Sequence, residues 1–91
     1  MAFPGRKLFD DPSWCELARS LKLSTRELQV VQGVFDDQKE SAIAAGLGIS
    51  PHTVNTYLQR VYQKLNVFTR SQLIISVVAT YLAFLTPRKH E

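Results

Sequence analysis

The residues best suited to chemistry lie in one segment, PHTVNTYLQRVYQKLN at residues 51–66, which holds amide, hydroxyl, imidazole and basic groups but no acid. At helical spacing, one side of this segment is an apolar stripe of Val54, Leu58, Val61 and Leu65. The opposite side is polar throughout and comprises His52, Asn55, Thr56, Gln59, Arg60 and Gln63. Amides and guanidinium groups hydrogen-bond to base edges and phosphates. This surface therefore suits a polyanionic partner that offers hydrogen-bonding groups.

The basic residues are distributed unevenly along the chain. Residues 1–45 carry six Lys/Arg and seven Asp/Glu, whereas residues 46–90 carry five Lys/Arg and no acid, within a net charge of +3. Clustered basic residues attract phosphates, so the second half favours a nucleic-acid partner. Considered alone, the charge pattern is equally compatible with a solvated basic surface.

Length and composition exclude several classes of protein. A chain of 91 residues, 45% apolar and 21% charged, is typical of one globular domain and too short for a large multidomain enzyme. It has no glycine-rich phosphate loop and no spaced pair of carboxylates or histidines, so we predict no enzyme, no cofactor and no metal site.

Cysteine usage bears on the compartment. Cys15 is the only cysteine, so an internal disulfide is impossible, and we expect it to be buried in a helix. The first residues, MAFPGRKLFDDP, lack the apolar run of a secretory signal. Both features predict a reducing, cytoplasmic environment.

Apolar periodicity predicts an all-α protein with helices at about 12–21, 25–35, 39–47, 51–66 and 70–85. Four starts carry capping signals, namely Asp11 before Pro12, Ser24 with Glu27, Ser50 before Pro51, and Thr69 with Gln72. Gly48 suits the left-handed residue that ends the third helix. Gly33, inside the second helix, predicts a close helix contact or a tolerated cost.

The last helix is apolar on nearly all sides. Residues 71–87 contain no charge, but a membrane span needs about 20 residues and the first half of this helix is needed to close the core, so we disfavour membrane insertion. A monomer rarely exposes a large apolar patch, and a two-fold homodimer covers one simply. The residues predicted at that interface are Val78, Tyr81, Leu82 and Leu85.

A short helix, a glycine turn and a longer helix follow the plan of a helix-turn-helix. The segments LSTRELQVV, AIAAGLGIS and HTVNTYLQRVYQKLNV, followed by Arg70, occur in an order and spacing that resembles the LuxR-type (GerE-like) DNA-binding domain of bacterial transcription regulators. The resemblance covers about residues 23–78. It implies a small helical bundle formed by a four-helix module, and the short N-terminal helix predicted from periodicity is an addition to that module.

The resemblance also implies roles for these residues. The helices near 39–47 and 51–66 form the helix-turn-helix, and the helix near 70–85 pairs two subunits on double-stranded DNA. The family's base-reading positions fall on Asn55, Thr56 and Gln59. The amides suit adenine and the threonine methyl suits thymine, which predicts a half-site that favours A·T pairs. The residues predicted near the DNA backbone are Ser50, His52, Thr53, Arg60, Lys64 and Arg70.

Some positions depart from the family pattern. Asn55 replaces a common lysine, Tyr57 replaces a common histidine, Ala42 replaces an acid, and Asp36 and Asp37 fill a loop that usually holds small polar residues. The missing lysine at position 55 and the acidic segment at 36–40 leave open an alternative, a protein-interaction adaptor with the same fold that has lost DNA binding.

The predicted organisation is an N-terminal extension at 1–22, the helix-turn-helix domain at 23–86 and a basic tail at 87–91. No sensing domain is present in these residues. Both a stand-alone regulator and a fragment of a longer one are compatible with the sequence.

Overall fold

In a computed structural model of the protein, which describes residues 5–86, every regular element is a helix. A 3-10 helix at Gly5–Leu8 precedes five α-helices: α1 (Asp11–Leu21), α2 (Thr25–Phe35), α3 (Glu40–Leu47), α4 (Pro51–Leu65) and α5 (Arg70–Leu85). All five agree with the predicted helices to within one residue at each end. The basic tail predicted at 87–91 lies outside the described residues.

Side-chain caps begin α2 and α4 as predicted. In α2, the Ser24 hydroxyl accepts from the Glu27 N–H at 3.1 Å, and the Glu27 carboxylate accepts from the Ser24 N–H at 2.9 Å. In α4, the Ser50 hydroxyl accepts from the Thr53 N–H at 3.1 Å, with Pro51 as the first helical residue. These bonds satisfy N–H groups that have no partner within the helix.

The caps of α1 and α5 differ from the prediction. Asp10, not Asp11, caps α1, and its carboxylate accepts from Ser13 at 2.9 Å, which lowers the pKa of Asp10. At α5, the Thr69 hydroxyl accepts from Gln72, but the Gln72 amide oxygen accepts from the N–H of Phe68 instead of Thr69. The backbone of Thr69 is more extended than that of Ser24, with φ of −136° against −71°. In this conformation the side-chain amide of Gln72 meets the N–H of Phe68, the residue before Thr69.

One core joins all five α-helices and the segment before α1. Its buried apolar residues include Trp14, Val31, Ile43, Leu58 and Val77. Burying each side chain of this size contributes about 1.5 to 3 kcal/mol, and valine-sized groups lie at the lower end. The described part of the predicted 1–22 extension therefore packs as part of the same domain.

A cluster of aromatic side chains packs the segment before α1, through Phe9, against Tyr81 of α5. The ring centroid of Phe9 lies 4.4 Å from that of Tyr81 and 4.9 Å from that of Trp14, which in turn contacts Phe35 edge-on at 5.2 Å. The Trp14 indole N–H donates to the Arg6 carbonyl at 2.7 Å, so the buried ring has its polar atom satisfied. Tyr81 therefore faces this cluster.

Cys15 is exposed, and the expectation that it is buried was wrong. The buried side of α1 is defined by Trp14 and Leu17. Consecutive helical residues point about 100° apart, so Cys15 turns away from that side.

Among residues 5–86, no single helix is both long and apolar enough to cross a membrane. The pair α4 and α5 reaches the required length and composition only together, and the two helices are bent by 53°.

Gly33 in α2 lies directly against the side chain of Ile43 in α3. A Cβ atom placed on Gly33 would lie 2.7 Å from Cγ1 and 2.9 Å from Cδ1 of Ile43, a buried side chain. A methyl group does not fit at that distance unless Ile43 moves. Of the two interpretations of Gly33, the close helix contact is the one observed.

We expect Gly33→Ala to destabilise the fold, because overpacking costs about 1 to 3 kcal/mol and exceeds the gain in helix propensity of about 0.5 to 1 kcal/mol. Gly46→Ala in α3 is the matched control, since nothing lies within 4 Å of a Cβ placed there. It should leave stability unchanged or raise it. Urea unfolding measures both, and equal stability of the two variants would contradict the packing argument.

Candidate nucleic-acid interface

α4 has one side in the core and one side in solvent. Val54, Leu58 and Val61 are buried between α4 and its neighbours, with exposed fractions of 2% or less. The exposed residues of the opposite side are His52, Asn55, Thr56, Gln59, Arg60 and Gln63, which we call the polar face. The core therefore fixes which side chains α4 presents outward.

The hydroxyl groups of Ser50, Thr53 and Thr56 form hydrogen bonds within the start of α4 and its cap. The Ser50 hydroxyl lies 2.9 Å from that of Thr53 as well as accepting the Thr53 N–H. The Thr56 hydroxyl donates to the His52 carbonyl at 3.2 Å, four residues earlier. This bond uses the hydroxyl proton of Thr56 and leaves its methyl group for an apolar contact.

Lys64, predicted near the DNA backbone, is bonded to other residues of the protein, although 37% of its side chain is exposed. Its Nζ atom lies 2.6 Å from Oε1 of Glu27 and donates to the Lys22 carbonyl at 2.7 Å. Two of the three ammonium donors are thus used within the protein, and the charge of Lys64 is paired, which favours a structural role over a contact with DNA. Lys64 also lies about 180° from Asn55 around a regular helix, a signal available in the sequence.

Glu27 is the buried partner of this ion pair, with only 4% of its side chain exposed. Burial acts to raise its pKa, but the hydrogen bonds from Lys64 and the Ser24 N–H outweigh burial and hold the pKa below its usual 4.5. Glu27 was predicted only as a helix cap. The structure adds a second role, in which it connects the start of α2 to the last turn of α4.

Arg70, also predicted near the DNA backbone, is half-buried, and its guanidinium donates to the Gln38 carbonyl at 2.6 Å. This bond holds the α2–α3 loop against the start of α5. Arg70 lines a shallow concave surface with Lys39 and Pro51, but the acids Asp37 and Glu40 line it too. The hydrogen bond to Gln38 therefore favours a role of Arg70 in positioning the α2–α3 loop.

Arg60 remains exposed on α4, with its guanidinium carbon 5.7 Å from the ring centroid of Tyr57. That distance is within the range of a cation–π contact. Tyr57 was noted in the sequence only as a departure from the family, although its spacing of three residues from Arg60 is typical of neighbouring helical side chains.

The acidic loop is partly neutralised. Asp36 accepts the Arg6 N–H at 2.6 Å and pairs with the Arg6 guanidinium at 2.8 Å.

Within residues 5–86, no three His, Cys, Asp or Glu side chains are grouped so that they could hold a metal ion.

The short helix α3, the turn at residues 48–50 and the longer helix α4 follow each other as in a helix-turn-helix domain. In such a domain the second helix presents a polar face to DNA, as α4 presents its polar face opposite the core. The chain matches the family described as bacterial regulatory proteins, luxR family, over residues 21–77. The chain therefore belongs to the luxR family of bacterial regulatory proteins, in agreement with the resemblance seen in the sequence.

Curated relatives share this module. The chain is 33% identical over 70 residues to the HTH-type transcriptional regulator MalT of Vibrio campbellii, covering 77% of this chain and 8% of MalT. It is 42% identical over 52 residues to the probable transcriptional regulatory protein NarL of Mycobacterium tuberculosis, covering 57% of this chain and 24% of NarL. It is 44% identical over 45 residues to the response regulator UvrY of Escherichia coli, covering 50% of this chain and 21% of UvrY.

The chain thus spans a quarter or less of the length of these relatives. No solved structure matches it at a significant level. The family is described as regulatory proteins, and MalT and NarL are named as transcriptional regulators.

The Glu27–Lys64 pair makes stability depend on pH. Because the folded pKa of Glu27 is lowered, the pair stabilises the fold above the unfolded pKa near 4.5, and this stability is lost as pH falls through the folded value. We expect Lys64→Met to cost about 1 to 3 kcal/mol at neutral pH, since it leaves a buried carboxylate with fewer donors. The difference from the unmodified protein should shrink in acid.

Denaturant unfolding between pH 7 and pH 3 measures this effect. Arg19→Met is the matched control, because the Arg19–Glu16 pair is exposed, with side-chain exposures of 75% and 52%. That variant should change stability little at any pH. A Lys64→Met cost that stays constant down to pH 3 would exclude the ion pair as its origin.

Proposed function

We propose that the chain is a sequence-specific DNA-binding regulator that inserts α4 into the major groove. The observation that carries this proposal is the polar face of α4, which lies opposite the buried Val54, Leu58 and Val61 and contains no acid. An α-helix fits the major groove, where each base pair presents a distinct set of donors and acceptors.

Within that face, Asn55 and Gln59 lie one helical turn apart, and their amides bond to adenine N6 and N7. Thr56 offers its methyl group to a thymine methyl, because its hydroxyl proton is used within the helix. Arg60 contacts phosphate or guanine, and Ser50, His52 and Thr53 approach the DNA backbone at the start of α4. The preferred half-site favours A·T pairs.

The relatives support the regulatory part of this proposal. MalT and NarL are named as transcriptional regulators, and each is much longer than the segment shared with this chain. A protein that regulates transcription in a bacterial cell meets its DNA in the cytoplasm. We therefore also propose a cytoplasmic location for this chain.

We further propose that the protein binds as a homodimer through α5. Ile75 and Leu82 lie two turns apart on α5, with exposed fractions of 66% and 53%, and Leu85 is also exposed at 60%. Ile75 and Leu82 lie on the opposite side of α5 from the buried Leu73 and Val77, and Leu85 lies at the edge of that side. A two-fold axis would bring the same exposed row of two copies together.

Two predicted interface residues fit this surface less well. Tyr81 is half-buried against Phe9 of the N-terminal segment, so we remove it from the proposed interface. Val78 is half-buried and lies at the edge of the exposed row. The proposed surface therefore centres on Ile75 and Leu82, with Val78 and Leu85 beside them.

Selection of bound duplexes from a random pool tests the DNA proposal directly. Enrichment of a paired, A·T-favouring site, with affinity that falls steeply with salt, is expected. Failure to bind any duplex at low salt would overturn the proposal and favour the adaptor alternative. One observation counts against the adaptor. The acidic segment at 36–40 would offer its charge to a protein partner, but the carboxylate of Asp36 is already paired with Arg6.

We expect Asn55→Ala and Gln59→Ala each to cost about 1 to 3 kcal/mol of discrimination between the selected site and unrelated DNA, because base contacts carry specificity. Nonspecific affinity should change little. Gln29→Ala on α2 is the control, since Gln29 contacts Arg26 away from the polar face. Competition titrations measure the ratio, and an unchanged ratio in both variants would show that the polar face does not contact bases.

Leu82→Glu should give a folded monomer that binds a paired site weakly but a single half-site normally. A charge in the interface opposes burial of a side chain otherwise worth about 1.5 to 3 kcal/mol. Ala83→Glu is the control, because Ala83 is exposed on the same helix about 100° around it. Sedimentation measures the oligomeric state, and a monomeric unmodified chain at hundreds of micromolar would refute the dimer.

A further inference from the structure

Tyr57 and Arg60 lie together on one flank of α4. The guanidinium carbon of Arg60 is 5.7 Å from the Tyr57 ring centroid, a cation–π arrangement between residues one turn apart. On a regular helix, Arg60 lies about 140° from Asn55, so the pair lies on the flank away from that amide.

Arg60 is the one lysine or arginine of α4 whose charge is not paired with an acid among residues 5–86. Every residue of α4 is described, and its other basic residue, Lys64, is bonded to Glu27 and the Lys22 carbonyl. The positive charge that this helix brings to DNA therefore depends on where the Arg60 side chain points.

The Tyr57 ring is suited to fix that direction. It is half-buried and packs against the hydrophobic core, so one side of the ring is held by the protein. Arginine loses much rotational freedom when it binds phosphate or a base, and a side chain already held over a ring by a cation–π contact loses less. The contact therefore favours a bound-like conformation before DNA arrives.

We propose that Tyr57 is a positioning residue, whose ring holds the Arg60 guanidinium on this flank of α4 ready to contact DNA. The proposal rests on the proposed DNA-binding function. It assigns a role to a residue that has no predicted DNA contact of its own.

The test measures affinity for the selected duplex. We expect Tyr57→Leu to weaken binding about two- to fivefold, the loss that corresponds to one exposed cation–π contact. Tyr57→Phe should bind like the unmodified chain, because it keeps the ring. In an Arg60→Ala background, Tyr57→Leu should cause no further loss. A direct contact of the tyrosine hydroxyl with DNA would instead weaken Tyr57→Phe and would overturn the proposal.

Salt dependence separates positioning from lost charge. Arg60→Ala should reduce the slope of log affinity against log salt by about one if Arg60 contacts a phosphate, whereas Tyr57→Leu should keep the slope because the charge remains. A purely structural role of Tyr57 predicts the same loss of affinity with or without Arg60. Additive losses in the double variant would therefore overturn the proposal.

A measurement without DNA distinguishes this proposal from the proposed function. In the nuclear magnetic resonance spectrum, the side-chain protons of Arg60 should show an upfield ring-current shift that is kept in Tyr57→Phe and lost in Tyr57→Leu. Absence of that shift overturns the positioning role alone. If the shift is present but no duplex binds, the proposed function fails and the positioning role fails with it.

Discussion

Burial of the apolar stripe of α4 is the constraint on which the rest of the structure depends. Val54, Leu58 and Val61 are almost inaccessible to water. The helix that carries them, α4, contacts α2, α3 and α5. Rotating α4 by one residue would move these groups into solvent and bring polar groups into the core. The free energy of this burial therefore determines both the position of α4 and the identity of the side chains that it presents outward.

Local patterns in the sequence were sufficient to predict the helices. Their starts depend on side chains a few residues away, such as Ser24 with Glu27 and Ser50 with Thr53, and their faces depend on a period of 3.6 residues. The error at Asp10 has the same origin, because two adjacent aspartates precede Pro12 and both are suitable caps. Only the hydrogen bond to Ser13 distinguishes them.

The polar face could be predicted for the same reason, but the partners of individual charges could not. Lys64 meets Glu27 across 37 residues of chain, and Arg70 meets the Gln38 carbonyl across 32. Tyr81 contacts Phe9, which precedes the family module altogether. Such contacts depend on how helices pack, and helical spacing within one segment carries no information about them.

The carboxylate of Glu27 has one further consequence. The same oxygen accepts the backbone N–H of Ser24 and the ammonium of Lys64. Loss of this carboxylate would therefore remove a bond from the start of α2 and from the last turn of α4 at once, since both bonds end on one atom. A substitution of Glu27, more than twenty residues before α4 begins, would therefore alter a contact of the helix that carries the polar face.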